Sequence, residues 1–264
     1  MRRLTRRDFV RIGGLVVVGI GAETLSALAR EERTPTPATA KKRWAMIIDP
    51  AKCAKDPTCR DCIEACHKTH NVPVFAPNAQ GEETDTLHEI KWIWKGTFEE
   101  AFNEHEGDEY ASGGMKEQPI MLLCNHCDNP PCVRVCPTQA TWKRESDGIV
   151  MMDFHRCIGC RFCIAGCPYG SRSFNFRDPR PFVREVNLAF PTRTKGVVEK
   201  CNFCEERLAE GLQPACVEAC QQQALVFADL EDPNSPARKL LQARLALRRK
   251  VHLGTRPQAY YITT

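Results

Sequence analysis

The sequence predicts an α+β fold of two tandem units, each built around a pair of cysteine groups and interrupted by long loop insertions. Three observations predict it. Sixteen cysteines in 264 residues fall into four groups of four: Cys53, Cys59, Cys62 and Cys66; Cys124, Cys127, Cys132 and Cys136; Cys157, Cys160, Cys163 and Cys167; Cys201, Cys204, Cys216 and Cys220. The last cysteine of every group follows a three-residue gap, and in the second and third groups it precedes a proline, Pro137 or Pro168. Short strand-like runs flank the groups: residues 45–49 before the first, and residues 140–144 and 149–153 on either side of an Asp147-Gly148 turn.

The third group is the most specific. Its spacing, Cys-x2-Cys-x2-Cys-x3-Cys-Pro, is the bacterial ferredoxin run for a [4Fe–4S] cube, in which the fourth cysteine ligates the neighbouring cluster. Such groups work in pairs, so four groups imply four [4Fe–4S] clusters in tandem two-cluster ferredoxin-like units. Groups two and three form an inner unit at 121–176. Groups one and four, distant in sequence, are left to form an outer unit from 44–71 and 197–230. Exchange of the fourth ligand assigns Cys124, Cys127, Cys132 and Cys167 to one cluster, and Cys157, Cys160, Cys163 and Cys136 to its neighbour. In the outer unit it assigns Cys53, Cys59, Cys62 and Cys220 to one, and Cys201, Cys204, Cys216 and Cys66 to the other. All sixteen cysteines are then iron ligands. The outer groups are less regular: five residues separate Cys53 from Cys59, eleven separate Cys204 from Cys216, and His67 and Gln221 stand where the inner groups have proline.

Residues 1–29 read as an export signal. A basic start, an apolar stretch of eleven residues at 12–22 and Ala27-Leu28-Ala29 form the three parts of a cleavable leader. The Arg6-Arg7 pair before Phe9 marks the twin-arginine variety, which gives a periplasmic destination. The alternative, a membrane anchor, needs roughly 20 apolar residues. Twin-arginine export carries proteins already folded, which suits clusters built in the cytoplasm. Export also admits disulfides as a rival use of the cysteines. Disulfides impose no Cys-x-x-Cys-x-x-Cys rhythm, and paired Cys-x-x-Cys zinc sites lack the Cys-Pro fourth ligand. Cys62 to His67 is one residue too long for c-type haem attachment.

The net charge of +4 falls to +1 once the five arginines and two acids of residues 1–29 are set aside, and thiolate-bound clusters add negative charge. No basic stripe with interleaved aromatics appears, which excludes a nucleic-acid partner. No nucleophile–base arrangement, phosphate loop or paired-carboxylate motif appears either, so no catalytic site of its own is expected.

The remaining segments connect these parts. Residues 30–43, with Pro35 and Pro37, read as a flexible lead. The insertion 72–120 holds Trp92 and Trp94 at strand spacing, an acidic run at 99–109 and a Ser112-Gly113-Gly114 loop. The Trp pair reads as core ahead of a docking surface. A second insertion spans 177–196. The segment 231–264 is a C-terminal helix and tail, with an amphipathic basic helix over 238–250 whose apolar side is Leu240, Leu241, Leu245 and Leu247. His67, His126 and His155 lie beside cluster ligands, either as hydrogen-bonding tuners or as ordinary polar loop residues.

The run from Met152 through Cys157-Ile158-Gly159-Cys160-Arg161-Phe162-Cys163 to Cys167-Pro168-Tyr169-Gly170 resembles the four-cluster electron-transfer subunits of bacterial respiratory complexes. Ser171-Arg172-Ser173-Phe174-Asn175, Glu199-Lys200-Cys201-Asn202-Phe203-Cys204, Cys66-His67-Lys68-Thr69-His70-Asn71-Val72-Pro73, Glu89-Ile90-Lys91-Trp92-Ile93-Trp94 and Pro257-Gln258-Ala259-Tyr260-Tyr261-Ile262 narrow it. With these the chain is similar to the DsrO family, exported iron–sulfur subunits of the membrane complex associated with dissimilatory sulfite reductase. The resemblance implies three partners: an integral membrane quinone-interacting subunit, a periplasmic multihaem cytochrome c and, indirectly, a cytoplasmic iron–sulfur catalytic subunit. Two other readings stay open: an electron-transfer subunit of a molybdopterin oxidoreductase of the polysulfide or nitrite reductase type, and a non-redox, metal-stabilised binding module.

Overall fold

The computed structural model describes residues 41–75, 88–103 and 116–263. The leader, most of the lead, residues 104–109 of the acidic run and the Ser112-Gly113-Gly114 loop lie outside the described residues. Ten strands are present among the described residues. The first five are β1 (Trp44–Ile48), β2 (Ile93–Thr97), β3 (Pro119–Leu123), β4 (Thr141–Lys143) and β5 (Val150–Met152). The others are β6 (Ser173–Phe174), β7 (Val198–Glu199), β8 (Leu225–Asp229), β9 (Ala246–Leu247) and β10 (Ala259–Ile262). Two helices exceed one or two turns, α1 (Asp61–His70) and α2 (Pro236–Ala243).

The largest sheet has the order β8-β1-β10-β9. β1 forms at the expected apolar run and pairs antiparallel with β8, Ile48 opposite Leu225, and parallel with β10, Ile48 opposite Tyr261. Period-2 alternation sends its side chains to two sides. Met46, Ile48, Leu225, Phe227, Ala259 and Tyr261 enter the main core, while Ala45, Ile47, Ala228 and Ile262 pack with Leu240 and Leu241 of α2. Each buried Ile of β1 contributes about 1.5–3 kcal/mol over its exposed state. The inserted β2 pairs with β3, β4 with β5 as the expected hairpin, and β6 with β7. Trp92 is fully buried, as the core reading of the Trp pair expects, and Trp94 packs at the core's margin. The described residues pack as one unit, and segments expected for the inner and outer units share one core through Cys66, Leu123, Ile149 and Phe203.

The C-terminal segment differs from expectation. The helix spans Pro236–Ala243 instead of 238–250, started by the Ser235 side chain, which accepts the Arg238 N–H at 3.2 Å, and by Pro236 at its first position. Arg244 is extended, and Ala246 and Leu247 pair with Ile262 and Tyr261. Leu245 is left exposed. The tail is therefore part of the main sheet. Non-local strand pairing overrides the helical spacing of the leucines.

Candidate metal centre

The x3 gap is one helical turn, and the turn explains what each fourth cysteine does. Cys62 and Cys66 lie four residues apart on α1, on one buried face and about 6 Å apart along the axis. Cys132, Cys163 and Cys216 likewise sit in single helical turns, Pro131–Arg134, Phe162–Ala165 and Ala215–Glu218, with the fourth cysteine just beyond. A thiolate one turn further on meets a different set of sulfurs.

The structure brings the cysteines together in mixed quartets. One cavity is lined by Cys157, Cys160, Cys163 and, from the second group, Cys136. A second is lined by Cys124, Cys127, Cys132 and, from the third group, Cys167. A third is lined by Cys53, Cys59, Cys62 and, from the fourth group, Cys220. Cys66 faces Cys201, Cys204 and Cys216, all four buried; burial first, and then those three thiols, push its pKa well up. Neighbouring sites also sense one another. Burial and then Cys124 raise Cys201, Cys62 adds to the rise at Cys216 behind burial and its own group, and Cys132 adds to that at Cys163. The four sites thus follow one another in the order Cys157, Cys124, Cys201, Cys53.

The backbone that wraps these sites repeats. The second intervening residue of three Cys-x-x-Cys steps has positive φ: His126 at 39°, Gly159 at 71° and Phe203 at 59°. Three residues after the fourth cysteine, Gln139, Gly170 and Gln223 do the same. Gly159 has no alternative, since a Cβ there would strike the Gly196 carbonyl oxygen. The first group departs from this pattern. With His67 in place of proline, α1 continues to His70 and ends at Asn71, φ 52°.

The residues present fit iron–sulfur clusters. All sixteen cysteines are free thiols. No carboxylate or histidine lines the three cavities, and each has one cation: Arg161, Arg172 or Lys95. An all-sulfur donor set suits soft metals and Fe–S clusters. Burial, followed by Cys220, Cys53 and Cys59, pushes the Cys62 thiol up to about 12, so ionisation there calls for metal on the sulfur. Backbone N–H groups donate to sulfur, from Phe203 to Cys201 at 3.4 Å, Ala215 to Cys204 at 3.4 Å and Ala224 to Cys220 at 3.2 Å.

Among the three expected histidines, His126 is buried and neutral, its Nδ1 accepting the Val150 N–H at 3.1 Å and burial holding its pKa well down. His67 lines a surface cleft with Arg60 and Arg184, and burial followed by those arginines lowers it to about 4. His155 is exposed in the turn after β5. Among the described residues, the histidine that meets a cysteine sulfur is His70. Its Nδ1 lies 3.7 Å from Cys66 Sγ and 3.0 Å from the Cys66 carbonyl, and its Nε2 lies 2.7 Å from Glu206. The signal for it was the four-residue step Cys62, Cys66, His70 along one helix face.

A buried polar network backs this site. Glu199 meets Arg193 at 2.7 Å and accepts from Trp92 Nε1 at 2.9 Å and Asn175 Nδ2 at 2.6 Å. Arg193 also donates to the carbonyls of His70 and Asn71, the negative end of α1. Lys200 donates to the carbonyls of Val150 and Cys201, tying the β4–β5 hairpin to the fourth group.

Residues 119–179 and 185–230 match the family model described as a 4Fe-4S dicluster domain. The chain is 39% identical over 282 residues to the Hdr-like menaquinol oxidoreductase iron-sulfur subunit 1 of Archaeoglobus fulgidus, covering 98% of this chain and 97% of the relative. It is 35% identical to a putative iron-sulfur subunit of dimethyl sulfoxide reductase from Halobacterium salinarum, over 83% of this chain and 78% of the relative. It is 34% identical to the menaquinone reductase iron-sulfur cluster-binding subunit of Nitratidesulfovibrio vulgaris, over 84% of this chain and 89% of the relative. With its cysteine quartets and coverage from end to end, the chain belongs to the family of [4Fe–4S] iron–sulfur subunits that transfer electrons within oxidoreductase complexes.

Proposed function

We propose that this chain is a periplasmic electron-transfer subunit that passes electrons through four [4Fe–4S] clusters, between a quinone-reactive membrane subunit and a multihaem cytochrome c, in a complex of dissimilatory sulfur metabolism of the DsrO type. The carrying observation is the mixed quartet: three cysteines of one group with the fourth of its partner around a common cavity. When bound, each cluster supplies a one-electron redox couple whose potential follows from burial, charge and hydrogen bonds to sulfur. The protein's part is to hold the sites in a row and to shield the inner two. Cys66, Cys201, Cys204 and Cys216 are all buried, as are Cys124, Cys127 and Cys132, whereas Cys157 and Cys160 at one end and Cys53 and Cys59 at the other are partly exposed. No substrate site of its own is needed for this work.

The two ends differ in character. Around the Cys157 site, Ile158, Phe162, Phe176 and Val135 are exposed, with Arg134, Arg156 and Arg161 close by in sequence. Around the Cys53 site the surface is polar, with Asp56, Thr58 and Lys95 hydrogen-bonded at its rim. We assign the apolar end to the membrane subunit and the polar end to the soluble cytochrome. Among the described residues no helix is long and apolar enough to cross a membrane, so attachment would come through a partner subunit or through residues not described.

The second reading, an electron-transfer subunit of a molybdopterin oxidoreductase, has its support in the similarity to the dimethyl sulfoxide reductase protein. It uses the same sites and differs in the partner. Iron and acid-labile sulfide analysis of the anaerobically purified protein tests the shared core: about sixteen of each are expected for four cubes. A value near eight would limit the clusters to one unit, and zinc in place of iron would overturn the electron-transfer reading. Mass identification of the partners that co-purify with the solubilised complex then separates cytochrome from molybdopterin enzyme.

A further inference from the structure

We infer that Arg172 is a positioning residue shared by two neighbouring sites, its guanidinium raising the reduction potentials at the Cys124 and Cys157 quartets together. The inference rests on those quartets holding [4Fe–4S] clusters, as proposed above.

Arg172 is 5% exposed, carried by the strand-leading segment just after Cys167. One terminal nitrogen donates to Cys132 Sγ at 3.1 Å and to Thr141 Oγ1 at 2.9 Å. Thr141 is itself fixed, donating to the Met151 carbonyl at 2.7 Å across the β4–β5 hairpin. The other terminal nitrogen lies 3.9 Å from Met152 Sδ. Thr141 and Met152, both met by the guanidinium, line the Cys157 cavity together with Cys163. Arg172 and Cys132 line the Cys124 cavity, so a single side chain lies between the two.

Its charge is the second point. A buried guanidinium cannot shed its proton and is costly without an anion nearby. Arg193, equally buried, meets Glu199. Arg172 has no carboxylate partner among the described residues; its guanidinium meets Cys132 Sγ and Thr141 Oγ1 and lines the cavity of Cys124, Cys127, Cys132 and Cys167. The anion this cation is placed to offset is therefore the thiolate-bound centre on either side. A fixed positive charge and N–H···S bonds favour the state with one more electron, so both potentials are held up. Because the guanidinium stays charged throughout, the effect carries no proton with it.

Electron paramagnetic resonance redox titration of the full-length, anaerobically purified protein tests this, comparing wild type with Arg172→Met and Arg172→Lys. In Arg172→Met two of the four centres are expected to shift downward, by at least a tenfold loss of reduced fraction at fixed potential, ~59 mV for one electron. The other two should stay, Arg172→Lys should recover part of the shift, and the shift should be the same at pH 6 and pH 9. A merely structural role predicts the opposite sign, since admitted water favours the more highly charged reduced state. No shift, an upward shift, or an equal shift of all four would overturn the inference. Arg172→Gln, which keeps a donor but no charge, decides the matter on the same criteria if the methionine variant loses iron. Wild-type protein without [4Fe–4S] signals would instead sink the functional reading on which the inference stands.

Discussion

The rings of His126 and Phe203 stack with centroids 3.7 Å apart and planes 18° from parallel. Each is the second intervening residue of its Cys-x-x-Cys step, and each has positive φ. The stack joins the second and fourth cysteine groups, whose sites are neighbours through Cys124 and Cys201. Two strained loops from distant parts of the chain are thus braced against each other.

Phe203→Ala should cost about 3–5 kcal/mol, because the ring is 2% exposed and also packs edge-on against Phe227. Phe203→Gly loses the same ring but relieves the left-handed backbone, worth about 1–2 kcal/mol. Glycine should therefore be the milder substitution, reversing the usual order. Denaturant unfolding of the anaerobic holoprotein checks this; alanine as the milder change would remove the claim of backbone strain.

Glu199→Gln should destabilise by about 3–5 kcal/mol, because it leaves the Arg193 charge buried without its partner. Replacing both together, Arg193→Met with Glu199→Leu, should restore much of the loss. A double-mutant cycle measures the difference. If the single change costs under about 1 kcal/mol, the pair is not the buried charge contact described.

At Gly159 an alanine Cβ would strike the Gly196 carbonyl, and φ of 71° adds a left-handed penalty of about 1–2 kcal/mol. Gly159→Ala should lower iron retention at the Cys157 site during gel filtration. Gly170→Ala, with the same sign of φ but open space around its Cβ, should show the backbone penalty alone. Equal effects at the two positions would mean that the close approach to Gly196 yields freely.

Much of this architecture was readable because it is local. Cys-x-x-Cys steps, the x3 helical turn and the Asp147-Gly148 hairpin each set their geometry within a few residues. The strand at 45–49 was equally plain. What escaped reading depends on distant partners. Nothing near Arg244 stops the helix; the pairing of Ala246 and Leu247 with β10 does. His67, His126 and His155 stand beside or near grouped cysteines in sequence, yet His70 reaches a cysteine sulfur in space, because α1 continues past Cys66 and Glu206 holds the ring from the far side. Arg172 gave no signal of its own, since its contact with Cys132 spans 40 residues.

If residues 1–29 act as the twin-arginine signal we propose, an address read by a receptor, replacing Arg6 and Arg7 by Lys should leave a folded precursor in the cytoplasm. Cell fractionation and the mature amino terminus check it. Normal periplasmic levels of the doubly substituted chain would reject the proposed export route.

The exchange of fourth cysteines makes the most direct prediction about the sites. Cys167 lines the cavity of Cys124, Cys127 and Cys132, and Cys136 lines that of Cys157, Cys160 and Cys163. Cys167→Ser should therefore perturb the centre held by the second group, and Cys136→Ser the one held by the third. The two lesions should differ in stability. Cys136 and Cys167 are both partly exposed, but the other three cysteines of the Cys124 site are buried, whereas Cys157 and Cys160 of the other site are partly exposed. Cluster binding is coupled to folding, so Cys167→Ser should lose more unfolding free energy than Cys136→Ser. The readout is which paramagnetic signal changes, together with the iron count and the denaturation midpoint of each variant. If Cys167→Ser and Cys157→Ser alter the same signal, while Cys124→Ser alters another, the mixed quartets do not describe the ligation.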